Sequence, residues 1–489
     1  MFAAKVIQTR DLHTDLIIMP DVKRSLNLFD TVMLVSGSMI GSGIFIVTAD
    51  MTKNLGSAFW VLMCWLISGL ITLLAALSYG ELAGMMPNAG GQFIYIKRAY
   101  GRLTAFVYGW TVFTVIQTGV IAAVAVAFAK FTGVFIPFFN ENNVVVGLGD
   151  FTISTTQLLG VASVVFLTWL NTLGINNGKI IQRVFTSAKI LALLGLILIG
   201  FLVATKDNYW HSNMQLPFNN LTEPPAEFKL SALLGALGVA LIGSLFSSDA
   251  WNNVTFIAGE VKEPQKNIPL GLLIGVLIVT VLYILANVAY FMLLPALGSP
   301  TGQTVLERGI AYAENERVGT AAMYGVFGDV SVYLMALLIM ISTFGCNNGL
   351  ILSGARLFQS MAHEGLFFRS AKYINENQVP SKALWMQCVW ASVLCLSGSY
   401  GSLLNYCTFA SLLFYIVTIC SLFYLRRKEP EAARPYKAFG YPIVPALYIL
   451  LAGAVCVDLL IFKPLNTFSG LLIMAVGIPV FYAFNKKQV

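Results

Sequence analysis

Charge is scarce in this sequence. Only 11% of the 489 residues are Asp, Glu, Lys or Arg, whereas 57% are hydrophobic. A typical soluble domain carries about 25% charged residues. The shortage excludes an ordinary soluble globular protein and directs attention to the apolar segments.

Histidine is rarer still, and cysteine is absent from the predicted loops. The three histidines form no HExxH pattern, so a membrane-embedded metallohydrolase would lack ligands. All seven cysteines lie in apolar segments, which predicts buried thiols and no disulfide framework. We therefore expect no enzymatic activity, no metal site and no cofactor. The net charge of +7 is spread over loops, so we expect no nucleic-acid partner either.

Long apolar runs dominate what is present. A run of about 20 apolar residues crosses a bilayer, and in lipid such a run must be helical to satisfy its backbone. The sequence predicts an all-α membrane protein, embedded in the lipid bilayer, with 12 transmembrane helices. The predicted spans are 28–50, 58–84, 103–133, 154–173, 180–204, 230–258, 268–295, 325–357, 384–401, 403–425, 440–462 and 466–484.

The basic residues predict how these spans are oriented. If segment 1–27 is cytoplasmic, most of the 30 Lys and Arg residues fall on the same side, which is the side that positive charge favours. They include Lys5, Arg10, Lys23, Arg98, Lys262, Arg356, Lys382, Arg426 and Lys487, whereas Lys53, Lys206 and Arg317 are among the few on the other side. Segment 1–27 has no early apolar region, so it does not read as a signal peptide. We predict a multi-pass plasma-membrane protein with both termini cytoplasmic.

Two spans are interrupted by polar and small residues. Between Ser36 and Gly43 the first span holds three glycines and three serines, which weaken a helix. The sixth span carries Ser247-Ser248-Asp249 inside an apolar stretch. Interruptions at matching positions of two halves are typical of transporter binding sites.

The spacing of these interruptions predicts an inverted repeat. The sixth span begins the second half, five spans after the first span begins the first half. Because five is an odd number, the two halves would cross the membrane in opposite directions. We predict a first repeat at 28–204, a second at 230–425, and two appended helices at 440–484. Small-residue packing is the alternative for the first span, because Gly37 and Gly41 also form a GxxxG pair. For the similar pair in the seventh span, Gly271 and Gly275, packing is the better interpretation.

Four stretches, in order along nearly the whole chain, resemble one transporter family. They are Gly41-Ser42-Gly43-Ile44-Phe45; Ser78-Tyr79-Gly80-Glu81-Leu82 through Pro87-Asn88-Ala89-Gly90-Gly91-Gln92-Phe93-Ile94-Tyr95; Phe246 through Trp251 with Glu260, Pro264 and Pro269; and Arg434-Pro435-Tyr436-Lys437 with Gly440-Tyr441-Pro442. The sequence resembles the amino acid–polyamine–organocation superfamily and, within it, the L-type amino acid transporter branch.

The resemblance implies a fold and a mode of action. Five-plus-five inverted repeats with broken first and sixth helices, two extra helices, sodium-independent transport and frequent obligatory exchange are all implied by the family. Animal members join a glycoprotein through a cysteine after the third span. Residues 134–153 contain no cysteine. We therefore expect no disulfide-linked glycoprotein subunit and a stand-alone, bacterial permease.

The two interruptions predict partners for the two ends of an amino acid. Free amides at a helix start favour a carboxylate, and free carbonyls at a helix end suit an ammonium group. The predicted carboxylate site is Gly41, Ser42, Gly43 and Ile44, and the predicted amine site is Phe246, Ser247 and Asp249. The resemblance implies the same assignment, with the substrate carboxylate at the first interruption and the substrate amine at the second.

Several further side chains have competing interpretations. Phe246 is predicted to gate the substrate, with core packing as its alternative. Asp249 either sets the polarity of the pocket or caps the following half-helix. Gln117 and Thr118 are predicted to line the side-chain pocket, or else to join helices. Glu81, at the end of the second span, is predicted to be solvated, with an ion pair at an inner gate as its alternative.

Lys189 is a charge within the fifth span. An intramembrane ammonium suggests function unless its side chain extends to the surface. Sodium-coupled transporters of this fold place the ion between spans one and eight, and the resemblance makes Lys189 a tethered substitute for it. The predicted partners are carbonyls near Gly37 and Ser38 and the hydroxyls of Ser342 and Thr343.

The sequence is compatible with three classes of transported substrate. A neutral L-amino acid is our first prediction, and a cationic amino acid is second because Asp249 would favour another positive charge. A polyamine is third, since the anion-binding break would then have no partner. A channel is disfavoured because no filter-like ring recurs in the sequence.

Overall fold

A computed structural model describes residues 24–148, 151–204, 208–222, 229–397 and 400–486. Some of the predictions above lie outside these residues. They concern most of the N-terminal segment and the basic residues Lys5, Arg10, Lys23, Lys206 and Lys487.

Helices make up most of the first half of the chain. In order they are α1 (Leu28–Met39), α2 (Gly43–Leu55), α3 (Ala58–Met85), α4 (Gln92–Tyr100), α5 (Arg102–Thr111), a π-helical turn (Val112–Ile116), α6 (Gln117–Thr132), α7 (Thr155–Thr172), α8 (Ile175–Val203) and α9 (Trp210–Gln215). A hairpin of β1 (Val144–Leu148) and β2 (Phe151–Ser154) precedes α7. This hairpin and α4 fall in segments predicted to be loops, where backbone groups are not constrained by lipid.

The second half is also helical. It comprises α10 (Leu230–Ser247), a 3-10 helix (Trp251–Glu260), α11 (Pro264–Leu293), α12 (Val305–Arg308), a 3-10 turn (Glu314–Glu316), α13 (Val318–Phe327), α14 (Val330–His363), a 3-10 turn (Arg369–Lys372), α15 (Ser381–Ser397), α16 (Tyr400–Lys428), α17 (Ile443–Phe462) and α18 (Pro464–Lys486).

The apolar helices confirm a multi-pass membrane protein. Among the described residues, nine helices are long and apolar enough to cross a membrane, or ten if the bent pair α1 and α2 is one span. The predicted fourth and ninth spans coincide with α7 and α15, which are 18 and 17 residues long and are not among the ten.

Local signals explain where the helices begin. Asn27 caps α1, because its side chain accepts from the amide of Asp30 at 3.0 Å while the Asp30 carboxylate accepts from the Asn27 amide at 3.0 Å. This capping box satisfies amides that have no partner within the helix. Ser154 and Gln157 form the same arrangement at α7.

Glycines allow the central helices to pack closely. A Cβ on Gly271 would lie 2.3 Å from Thr31, and one on Gly275 would lie 2.6 Å from Val35. These glycines of α11 therefore pack against α1, as predicted. The arrangement brings the end of α1 beside α11, where the candidate site lies.

Candidate functional site

The first break separates α1 from α2. Residues 40–42 lie between α1, which ends at Met39, and α2, which begins at Gly43, and the two helices meet at a 42° bend. Ile40 has extended backbone, so the α1 hydrogen-bond ladder stops there. The amides of the first turn of α2 face the break, as at any helix N-terminus. All four residues of the predicted carboxylate site are buried: Gly41, Ser42, Gly43 and Ile44.

Lys189 of α8 reaches the first break. Its Nζ lies 2.5 Å from the Gly37 oxygen, 2.7 Å from the Ile40 oxygen and 3.4 Å from the Ser342 oxygen. The side chain is 1% exposed. The alternative that Lys189 extends to the membrane surface is therefore wrong. The contact with Ser342 uses the backbone carbonyl, not the predicted hydroxyl.

Side chains of α14 complete the closure of the first break. The Ser342 hydroxyl donates to the Gly41 oxygen at 3.0 Å, and the Cys346 thiol donates to the Ser38 oxygen at 3.0 Å. Thr343 does not join them, because its hydroxyl donates to carbonyls three and four residues earlier in α14. Its predicted contact with the ammonium of α8 is wrong, since the described partners of that ammonium are the carbonyls of Gly37, Ile40 and Ser342.

The second break occupies residues 248–250, between the end of α10 and the 3-10 helix. Ala250 has left-handed backbone (φ 65°) and is the N-cap residue. The capping alternative for Asp249 is therefore wrong, because the cap position falls one residue later. The Asp249 amide donates to the Phe246 oxygen at 3.1 Å, so that carbonyl already has a partner, contrary to the prediction that it is free.

The two breaks touch each other. A Cβ on Gly43 would lie 2.1 Å from the Ser247 Oγ and 2.9 Å from its Cβ. Tyr283 of α11 joins the same two segments, because its hydroxyl lies 3.1 Å from both the Met39 oxygen and the Ser247 oxygen. The start of α2 and the end of α10 thus meet at one point, with one phenol between α1 and α10.

A hydrogen-bond network extends from the second break. The Tyr415 hydroxyl lies 2.5 Å from Asp249 Oδ1 and 3.1 Å from Asn252 Oδ1. Gln92 Oε1 accepts from Asn252 Nδ2 at 3.0 Å and from the Tyr108 hydroxyl at 3.1 Å. The carboxylate of Asp249 is therefore held by uncharged donors rather than by a cation.

Two small cavities flank this network, each of about 20 Å³, which is room for a water molecule or two. Asp249 lines both, and Gln117 lines the one beside Tyr108. Thr118 lines neither, because its hydroxyl donates to the Phe113 oxygen at 2.6 Å. The structure thus places Gln117, but not Thr118, beside the second break.

The aromatic residues of the second break occupy different environments. Phe246 is half-buried and packs against the core in the last turn of α10. Trp251 is buried, and its ring meets that of Tyr79 edge-on at 4.8 Å. Packing was the predicted role of Trp251, and the geometry agrees.

Buried ion pairs lie away from the breaks. Glu81 is 0% exposed, and its carboxylate accepts from Arg426 Nε at 2.8 Å and from the Ala438 amide at 2.6 Å. Arg434 is a second ion-pair partner, with its Nε 3.2 Å from the same carboxylate. The predicted solvated role of Glu81 is wrong, because segment 429–442 folds over it.

A second buried pair joins Glu260, at the end of the 3-10 helix, to Arg356 of α14. The sequence shows both residues but gives no sign that they meet. Tyr283 and Tyr415 were missed as well, since an aromatic in an apolar helix is ordinarily packing; only a polar neighbour in space identifies them. Among the described residues, no group of three His, Cys, Asp or Glu could hold a metal ion.

Known proteins provide an independent comparison. The human large neutral amino acids transporter small subunit 2 is 28% identical over 468 residues, covering 94% of this chain and 80% of that protein. The human b(0,+)-type amino acid transporter 1 is 28% identical over 94% of this chain and 86% of its own length. The mouse Asc-type amino acid transporter 1 is 28% identical over 94% and 81%.

The family comparison covers nearly all the described structure. Residues 26–483 match the family described as amino acid permease. This range contains both helix breaks, the Lys189 contacts and the Asp249 network. The chain therefore belongs to the amino acid permease family.

Proposed function

We propose that this chain is a secondary amino acid carrier, a permease or exchanger, that moves neutral L-amino acids by sodium-independent alternating access. The observation that carries the proposal is the contact between Gly43, which begins a helix, and Ser247, which ends one. Ends of opposite polarity suit the carboxylate and the ammonium of one zwitterion. One relative is named for large neutral amino acids, which supports that class of cargo.

The carboxylate would bind amides at the first break, from Ser42, Gly43 and Ile44 beside Gly41. The ammonium would bind carbonyls of Ser247 and Asp249, and of Phe246 through a second lone pair. Because Gly43 and Ser247 are in contact, an amino acid bound between them must part the two breaks. Phe246, half-buried beside this point, would gate such a movement. Gln117 would contact the amino acid side chain.

The position of Lys189 supports the proposal of sodium independence. Its ammonium contacts the carbonyl of Gly37 in the last turn of α1, that of Ile40 in the first break and that of Ser342 in α14. Backbone carbonyls are also the ligands that a bound alkali cation would use. A fixed charge in this place removes the need for a cation from solution.

A cationic amino acid, or a polyamine, is the second candidate for the cargo. The favouring observation is Asp249, whose carboxylate lines both cavities of the second break and has no cationic partner among the described residues. A second positive charge on the cargo would supply that partner. The human b(0,+)-type relative is named only as an amino acid transporter and does not decide between the two.

We further propose 12 spans, arranged as inverted repeats 28–204 and 230–425 with 440–484 appended. Both breaks are three residues long and interrupt the first helix of their repeat, which supports the pairing. The distribution of basic residues supports cytoplasmic termini in the plasma membrane. The chain would act as a carrier rather than an enzyme, without a cofactor.

A disulfide-linked glycoprotein subunit is not part of the proposal. One relative is named a small subunit, but residues 134–153 of this chain contain no cysteine. Of the seven cysteines, six are buried and Cys420 is partly exposed within α16. A covalent partner would have no thiol to join in that loop.

Labelled L-leucine uptake into proteoliposomes tests the proposed function. Vesicles preloaded with unlabelled L-leucine should take up label several-fold faster than empty ones, saturably, and equally in sodium and choline chloride. Competition by the other amino acids and by putrescine separates the candidates, since arginine or putrescine should compete only if Asp249 serves a cationic cargo. Uptake that never saturates, or that requires sodium, would contradict the proposal.

A further inference from the structure

A groove of about 670 Å³ runs along one side of α15, away from the helix breaks. Its walls are α15, the end of α7, the segment before α15 and the π-helical turn. Trp385, Val389 and Val393 are exposed on successive turns of α15, with 63% of Val389 accessible. α15 is the proposed ninth span, and an exposed apolar stripe on such a helix would face lipid tails, so the groove would open toward the bilayer.

The chemistry of the groove changes along its length. Ser381, Lys382 and Asn375 line its start, and Trp385 and Trp390 line its far end. At 1.5 Å per residue, positions 381 to 390 span about 14 Å. Half the hydrocarbon thickness of a bilayer is about 15 Å. The groove therefore has a polar end at the membrane boundary and an apolar end near the depth that one acyl chain reaches.

Positive charge surrounds the polar end. Lys382 stands over the ring of Tyr373 at 4.8 Å, and Arg369 and Lys372 lie in the 3-10 turn just before it. None of these three cations forms an ion pair with any residue that the structure describes. The acidic residue of this segment, Glu376, is exposed and also unpaired there. The local balance is positive, which complements a phosphate diester.

The inner wall of the groove is the π-helical turn of residues 112–116. Phe113 stacks on Trp390, with ring centres 6.2 Å apart and planes at 21°, and Trp390 Nε1 donates to the Thr114 oxygen at 3.0 Å. The next residues round the turn, Val112 and Ile116, line the small cavity beside Asp249. π-Helical turns occur often at functional sites. An occupant of the groove would touch the same turn that borders the candidate site.

We propose that the α15 groove binds an anionic phospholipid. The phosphate lies at Lys382, and one acyl chain follows Trp385, Val389 and Trp390 to the π-helical turn. Charge at one end and apolar aromatic surface at the other match the two parts of such a lipid. A second protein chain is a poorer match, because the polar end is only a few residues wide.

Native mass spectrometry of the purified full chain in detergent tests the site, with phosphatidylglycerol and phosphatidylcholine as probes. The parent should retain one phosphatidylglycerol in preference to phosphatidylcholine. Lys382→Gln should bind phosphatidylglycerol about fivefold more weakly, since one surface cation contributes about that factor. Val389→Trp should place a bulky ring across the path of the acyl chain and weaken retention of phosphatidylglycerol. Lys437→Gln removes an equal charge from an exposed loop and should bind like the parent.

Equal retention of both lipids, or unchanged binding by Lys382→Gln and Val389→Trp, would overturn the proposal. Weakening by Lys437→Gln as large as that by Lys382→Gln would overturn it as well, because the effect would then be general surface charge. Far-ultraviolet circular dichroism and the Tm of each variant confirm that it is folded. The readout is lipid binding, so its result is independent of which amino acid the chain carries.

Discussion

The two helix breaks have the same length but are held in different ways. Carbonyls of the first break and of the last turn of α1 accept from side chains of three other helices: Lys189 of α8, Tyr283 of α11 and Ser342 of α14. At the second break, the Phe246 carbonyl accepts from a backbone amide of its own turn, and the Ser247 carbonyl accepts from Tyr283. Three other helices supply side-chain donors to backbone carbonyls at the first break. At the second break Tyr283 supplies one such donor, Tyr415 holds the Asp249 side chain, and two cavities adjoin the break. The second break can therefore change shape at the smaller cost.

Removing the Lys189 ammonium, which anchors the first break, should reduce transport more than any other change. Lys189→Met leaves buried carbonyls without a donor, each at a cost of about 1–3 kcal/mol. We expect L-leucine uptake in proteoliposomes to fall about 100-fold or more. Lys262→Met, at an exposed position, is the control and should transport normally. Parent-like uptake by Lys189→Met would show that the first break does not depend on its anchor.

Disturbing the contact between the two breaks should cause the second-largest loss of uptake. Gly43→Ala places a methyl group 2.1 Å from the Ser247 Oγ, so we expect uptake to fall about tenfold or more. Adding Ser247→Gly removes the opposing side chain and should restore part of the activity. Gly195→Ala in α8 is the control, because nothing lies within 4 Å of the methyl group that it would add. A double variant no better than Gly43→Ala would mean that the steric contact is not the cause.

Removing the Tyr283 hydroxyl, which lies between the breaks, should cause the third-largest loss of uptake. Tyr283→Phe deletes one hydrogen bond worth about 1 kcal/mol, and we expect the initial rate of uptake to fall about fivefold. Tyr290→Phe, two turns further along α11, is the control, since the Tyr290 hydroxyl has no hydrogen-bond partner among the described residues. Equal losses in the two variants would assign the effect to α11 packing instead.

The smallest effects should separate two adjacent hydroxyls of α14. Ser342→Ala loses donation to the first break and should slow uptake about threefold to fivefold. Thr343→Val keeps its shape and loses only a bond within its own helix, so uptake should change less than about twofold. A larger loss of uptake in Thr343→Val than in Ser342→Ala would indicate that Thr343, and not Ser342, supports the first break, which would contradict the observed contacts.

Local signals explain why both breaks could be predicted from the sequence. Glycines and serines between Ser36 and Gly43, and the polar run around Asp249, weaken helices wherever they occur. Lys189 could be associated with the first break because a charge in an apolar span needs a polar partner. These inferences depend on residues close in sequence or on one strong physical cost.

The partners that depend on distant residues could not be predicted. Glu81 meets Arg426, which is 345 positions away, and no local pattern announces the pair. Tyr283 and Tyr415 read as packing because their function rests on one oxygen atom each. Thr343 was grouped with Ser342 by adjacency, but neighbouring helical residues point about 100° apart and reach different partners.

Tyr283 also fixes a distance. The Met39 and Ser247 oxygens each lie 3.1 Å from the same phenol oxygen, so they can be no further apart than twice that length. Tyr283 sits within α11, which runs as one helix from Pro264 to Leu293, so the reference point is a rigid one. While the phenol keeps both contacts, the ends of α1 and α10 can part only within this limit. A compact α-amino acid, whose charged groups are on neighbouring carbons, suits such a limit better than a γ-amino acid, whose charges lie further apart.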